Sequence, residues 1–201
     1  MQHEQHIVAI GAHPDDIEYG CLGTLIKFSW QYVIDLVIFT DGELGGPRRR
    51  AESTQAFESV GLNSIFWLGL ADGYFTVDAG TVGKLEPLLQ KATTILTMSA
   101  CDTHQDHRAV WQTTMAAARR RAVTLLSYQS ISSTPDFNAR LFVDITREYP
   151  RKLQALQCHE TQAEKEYMKE SWLAEWHKHP QAMTTGQTCV EAFNVHQAYF
   201  L

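Results

Sequence analysis

Short apolar runs alternate with amphipathic stretches through the first two thirds of the chain. Residues 7–11, 33–39, 65–70, 94–98 and 123–128 are rich in aliphatic, β-branched and aromatic side chains and are separated by polar or glycine-containing connections, which predicts buried strands. Between them, residues 20–31 carry Leu22, Leu25 and Ile26 at helical spacing, and residues 49–60, 82–91 and 108–121 predict further helices. Gly42, Gly45, Gly46 and Pro47 punctuate the connection before the second of these helices. The repeated order predicts an α/β fold: a single Rossmann-like domain with a mostly parallel central sheet flanked by helices. Farther along the pattern loosens. Residues 141–145 predict a strand, and 149–159 and 163–177 predict helices, with Pro150 near the start of the first, where its missing N–H is tolerated.

The chain has 201 residues, enough for one domain that buries roughly 70% of its extended surface, with no repeat or low-complexity linker to divide it. Its 17 Lys plus Arg against 23 Asp plus Glu give a net charge of −6, which offers no general attraction to nucleic acid or an anionic membrane. The run Arg48-Arg49-Arg50 is the local exception, able to engage one anion or simply to face water. Four cysteines without a CxxC pair fit buried thiols in a reducing compartment. No apolar stretch approaches the roughly 20 residues that span a bilayer, and no leader-like segment precedes the first strand. The expectation is a cytoplasmic protein without a transmembrane segment. Trp172 and Trp176 share one helix face, where they complete the core or bury the interface of a homo-oligomer.

The candidate chemistry sits in two clusters. His13-Pro14-Asp15-Asp16 follows the first predicted strand, and His104-Gln105-Asp106-His107 follows the fourth. Loops at the carboxyl ends of different strands converge in an open α/β sheet. His13 and Asp16 supply nitrogen and oxygen, and His107 completes a set of two histidines and one carboxylate that leaves a position open for water or substrate, as catalytic zinc requires. Either aspartate of the pair can hold metal while its neighbour acts as general base, and Pro14 stiffens the turn between them. His104 can polarise a carbonyl, stabilise an oxyanion or pass a proton to a leaving nitrogen, and Asp106 can orient an imidazole. The plainer reading of each aspartate is a cap for the following helix or turn.

Other classes use parts of this pattern. A dinucleotide-binding oxidoreductase matches the strand–helix order but needs a G-x-G-x-x-G turn, absent after the first strand. An iron-dependent oxygenase shares the donor set. A nonenzymatic metal- or carbohydrate-binding protein shares the ligands without turnover. Turnover without oxygen consumption separates hydrolysis from both.

Gly11-Ala12-His13-Pro14-Asp15-Asp16 with Glu18 and Gly23-Thr24, and then His104-Gln105-Asp106-His107, resemble the signature elements of the PIG-L or LmbE-like zinc-dependent deacetylases. Thr40-Asp41-Gly42-Glu43-Leu44-Gly45, Arg49-Arg50-Ala51-Glu52, Leu68-Gly69-Leu70-Ala71-Asp72-Gly73, Phe142-Val143-Asp144-Ile145-Thr146, the stretch from Lys152 to His159, Gln162 and Glu191-Ala192-Phe193 follow in family order. The resemblance implies one deacetylase domain over residues 1–201 and a hydrolase acting on N-acetylglucosamine or another N-acetylated amino sugar or glycoconjugate. It implies zinc, or another divalent transition metal such as iron(II), on His13, Asp16 and His107. Asp15 becomes the water-activating base, His104 and Asp106 assist catalysis, and Arg49 and Asp72 contact substrate. Ile17 separates the paired aspartates from Glu18, which is given no catalytic role. The loops around residues 42–50, 70–76 and 131–138 are expected to set substrate choice.

Overall fold

The computed structural model describes residues 5–42, 46–179 and 189–199. Its strands are β1 (His6–Gly11), β2 (Val33–Thr40), β3 (Ile65–Leu70), β4 (Thr94–Thr97), β5 (Thr124–Tyr128), β6 (Leu141–Asp144) and β7 (Val190–Gln197). They form one sheet in the order β3-β2-β1-β4-β5-β7-β6. The first five run parallel, and β7 pairs antiparallel with both β5 and β6. Every residue of β1 is buried, as expected of a central parallel strand covered on both faces. β1 pairs with β2 on one side and β4 on the other, so the chain order reverses between β1 and β4. Both histidine–aspartate clusters follow these two strands, at the switch point where open α/β sheets form their crevice.

The helices are α1 (Asp16–Gly20), α2 (Leu22–Phe28), α3 (Gly46–Ser59), α4 (Ala79–Leu85), α5 (Gln105–Ala118), α6 (Tyr149–Leu156) and α7 (Glu170–Trp176). α4 packs on α5, while α6 packs on α2 and α3. None of the described helices is long and apolar enough to cross a membrane.

The helix expected over residues 20–31 starts earlier and is divided at Cys21, whose backbone leaves helical geometry. The close approach of Gly20 to the sheet accompanies this break: a Cβ on Gly20 would lie 2.2 Å from the Tyr128 ring. The helix expected over 82–91 gives way to a 3₁₀ turn, Glu86–Leu89, because Pro87 supplies no backbone donor. The stretch 163–177 holds a 3₁₀ turn, Glu166–Met168, before α7, with Lys169 extended between them. β7 lacks a continuous apolar signature, and its Glu191 is a buried charge.

That charge is paired. Lys152 on α6 is fully buried, and its Nζ donates to Glu191 Oε1 and the Tyr19 carbonyl, both at 2.6 Å. Glu191 also accepts the backbone N–H groups of Gly23 and Thr24 at 2.8 and 2.6 Å, satisfying free donors in the first turn of α2. The last strand is thereby clamped to the first helices. A second small core gathers Tyr19, Leu156 and Leu173, with Tyr167, Met168 and Trp176 against it. Trp176 therefore packs within the chain, whereas Trp172 is partly exposed and donates its indole N–H to the Tyr19 hydroxyl.

Candidate active site

The turn after β1 is built around Asp15, the one non-glycine residue with positive φ among those described, at 109°. This strained conformation is tolerated where surrounding contacts over-determine it. The neighbouring Asp16 carboxylate folds back to accept N–H groups from Ala12 and His13 at 3.0 and 2.7 Å. Arg49, at the start of α3, donates to the Pro14 carbonyl at 2.7 Å and to Asp15 Oδ2 at 3.2 Å. Gly42 makes room for it: with φ 77°, a Cβ there would sit 2.6 Å from the Arg49 guanidinium.

Asp16 joins the two clusters. Its Oδ2 lies 3.4 Å from His13 Nδ1, and its Oδ1 lies 3.3 Å from His107 Nε2. The far nitrogens have their own partners. His13 Nε2 is 2.9 Å from Asp72 and 3.2 Å from Asp106, while His107 Nδ1 is 2.9 Å from Asp102. His104 caps α5, its Nδ1 accepting the Asp106 N–H at 3.2 Å. Its ring stacks on His107 with centroids 4.6 Å apart and meets His13 edgewise at 4.8 Å.

These side chains line a cavity of about 400 Å³, within the size range of small-molecule sites. His13, Asp15, Asp16, Arg49, Asp72, His104 and His107 all reach it. Asp106 is buried beneath, where it also accepts the Gly73 N–H at 2.8 Å. The carboxylate on the Nδ1 side of His107 is Asp102, which the sequence pattern did not single out despite its position two residues before His104. Asp102 also accepts from the His104 N–H, Ser130 and Ser132 at 2.8, 2.5 and 2.7 Å. Tyr19, Lys165 and Tyr167 were likewise not singled out, because nothing local in sequence ties the C-terminal segment to the first turn.

Electrostatics follow from this crowding. Burial works against a charge on His13, but contacts with Asp106, Asp16 and Asp72 win and raise its pKa to about 12. His107 rises to about 9, burial being outweighed by Asp16 and Asp102. Asp15 goes up to about 6 through burial and the adjacent Asp16 charge, with Arg49 opposing. His104 is lowered by burial and by its imidazole neighbours. Such a carboxylate-rich cluster favours a cation, and a metal can supply that charge in exchange for protons. The nitrogen and oxygen donors suit a divalent transition metal. The nitrogens of His13, His104 and His107 form one three-member group whose ligand atoms all lie within 4.8 Å of one another; His13, Asp72 and Asp106 form another.

Known proteins share this architecture. The chain is 32% identical over 168 residues to an uncharacterised deacetylase, YaiS, of Escherichia coli K12, covering 77% of this chain and 90% of that relative. It is 23% identical to a probable N-acetyl-alpha-D-glucosaminyl L-malate deacetylase of Bacillus anthracis, covering 81% and 83% of the two chains. The solved structure of a Pyrococcus horikoshii N,N'-diacetylchitobiose deacetylase superposes with a TM-score of 0.83 at 21% identity, covering 95% of this chain and 83% of that one. A 4-carboxy-2-hydroxymuconate hydratase from Pseudomonas putida KT2440 reaches the same TM-score at 17% identity, over 98% of each chain. The fold alone therefore does not select a reaction. Residues 8–118, more than half of the chain and including both histidine–aspartate clusters, match the model of the PIG-L, or GlcNAc-PI de-N-acetylase, family, and the chain belongs to that family.

Proposed function

We propose that the chain is a metal-dependent N-deacetylase, with zinc the preferred metal, acting on an N-acetylated amino sugar or its glycoconjugate. The observation that carries this reading is the partnering of the three imidazoles. With the His13 Nε2–H shared between Asp72 and Asp106, and the His107 Nδ1–H given to Asp102, the remaining lone pairs lie on the two nitrogens that face Asp16. His13, Asp16 and His107 would thus hold the metal. His104 has the opposite arrangement. Its Nδ1 accepts the Asp106 N–H, so neutral His104 carries its proton on Nε2 and serves as a hydrogen-bond donor.

A divalent metal in this position supplies Lewis acidity, polarising a carbonyl and making water acidic enough to lose a proton near neutral pH. Asp15, beside Asp16 on the cavity wall and held by Arg49, would accept that proton. His104 stabilises charge developing on the acetamide oxygen. Arg49 and Asp72 contact the sugar from the cavity wall, and Arg49 also holds Asp15 in place. Breaking the C–N bond releases acetate and leaves the free amine. The deacetylase names of the relatives support this reaction. The hydratase-like fold is the competing precedent, and acetate production distinguishes the two.

The test uses zinc-loaded protein and a panel of N-acetylated glycosides, with acetate measured directly. Wild type should release acetate, whereas Asp15→Asn should keep its metal and lose activity by about 100-fold or more. A metal-loaded wild type that releases no acetate across the panel overturns the reaction assignment. Equal turnover by Asp15→Asn overturns the role of Asp15 alone.

A further inference from the structure

The cavity wall contains a cation that the proposed chemistry does not use. Among the described residues, Arg49 and Lys165 are the only lysine or arginine residues lining the cavity. Arg49 is committed to the Pro14 carbonyl and Asp15. Lys165 is different. Lys152, Lys169 and Lys178 each meet a carboxylate, but Lys165, flanked by Glu164 and Glu166, forms no ion pair among the described residues. Glu166 pairs with Lys169 instead. The Lys165 ammonium lies over the Tyr167 ring, 5.5 Å from its centroid, a cation–π contact that holds the charge without neutralising it.

Tyr167 is anchored from behind. Its ring meets Tyr19 edgewise at 5.9 Å within the small C-terminal core. Tyr167 lines the cavity, and its hydroxyl has no hydrogen-bond partner among the described residues. Burial and the Asp15 charge raise its pKa, with Arg49 opposing, so the hydroxyl remains a donor at neutral pH. A free hydroxyl donor and a free ammonium therefore stand two residues apart on one wall.

The charges on the cavity floor are already matched: Asp16 contacts His13 and His107, Asp72 contacts His13, and Asp15 contacts Arg49. Lys165, without a carboxylate partner among the described residues, is the cation left for an anionic substituent. We propose that Lys165 and Tyr167 form a subsite for a carboxylate or phosphate on the group attached to the acetylated sugar. This inference rests on the deacetylase reading for the orientation of its ligand. The ammonium is a point charge without the planar fork of arginine, so it accepts either anion. Its exposed position makes the attraction modest and sensitive to salt.

The experiment compares three probes: the methyl glycoside of N-acetylglucosamine, its carboxymethyl glycoside, and N-acetylglucosamine 1-phosphate. Acetate release is measured for wild type, Lys165→Met and Tyr167→Phe at low and high ionic strength, and calorimetry measures probe binding. Wild type should show a lower KM for at least one anionic probe than for the methyl glycoside. Lys165→Met should raise that KM by about 3- to 10-fold at low salt, with kcat unchanged and little effect on the neutral probe. High salt should erase the difference. Tyr167→Phe should raise the same KM without changing its salt dependence. The two anionic arms identify whether carboxylate or phosphate is preferred.

Equal wild-type affinity for neutral and anionic probes overturns the subsite, as does an equal Lys165→Met effect on all three. If no probe releases acetate, the reaction assignment is what fails. Calorimetry then decides the subsite separately: preferential binding of an anionic probe that is lost in Lys165→Met supports it, and its absence overturns it.

Discussion

Replacing Asp102 with asparagine tests how the site orients His107. Asp102 uses both carboxylate oxygens twice, accepting from His104 N–H and Ser132 on Oδ1 and from His107 and Ser130 on Oδ2. Asparagine keeps the shape but turns one oxygen into a donor. If the new NH₂ faced the His104 backbone N–H, two donors would meet and that hydrogen bond would be lost. Facing His107 and Ser130 is less costly, because a hydroxyl can rotate and an imidazole can change tautomer. His107 Nδ1 then accepts, and the proton moves to Nε2, the nitrogen facing Asp16. That nitrogen no longer has a lone pair for a metal.

Asp102→Asn should therefore weaken metal binding by about 10- to 100-fold. The metal-free protein loses the charged acceptor of His107 Nδ1 and with it about 1–3 kcal/mol of stability, or about 2–12 °C in Tm at about 2–4 °C per kcal/mol for a chain of this size. Isothermal titration with zinc, thermal unfolding of the metal-free protein and acetate release over a zinc series provide the measurements. Excess zinc should restore part of the lost turnover. Wild-type zinc affinity in the variant would refute the tautomer argument and remove the principal support for His107 Nε2 as a ligand.

Two further predictions concern the fold. Lys152→Met strands the Glu191 carboxylate among buried groups and should cost about 3–5 kcal/mol, or about 6–20 °C in Tm; a loss below about 1 kcal/mol in denaturant titration would contradict the clamp between α6, β7 and α2. His177 is buried with its pKa lowered to about 3, burial being the larger cause and Lys152 the next. The fold holds the neutral form, so below the ordinary value of 6.5 the unfolded chain takes up the proton first. This contribution to stability is complete above pH 6.5 and declines by about 1.4 kcal/mol per unit as pH falls toward 3. His177→Gln retains a donor for the Leu173 carbonyl and should flatten the stability–pH slope between pH 6 and 4 by about one proton; an unchanged slope would place the titration elsewhere.

The strand–helix alternation made the parallel sheet legible in the sequence, because buried strands between amphipathic helices read as short continuous apolar runs. The two histidine–aspartate clusters were legible for a related reason: each follows a recognisable strand, and open α/β sheets gather such loops at one edge. The limits arose where local pattern and tertiary role diverge. β7 contains Glu191, whose burial depends on Lys152 and on helix donors far away in the chain. Asp106 was expected to orient an imidazole and lies against His13, but it is Asp102 that faces His107.

By itself, the sequence determined which residue types could assemble a metal site and which strands would carry them, because hydrophobic periodicity and short motifs act locally. Tertiary structure decided which nitrogen of each histidine faces Asp16, which carboxylate faces each ring, and which cation stands uncommitted at the cavity wall. Those properties depend on distances of about 3 Å between residues widely separated in the chain, and only packing sets them.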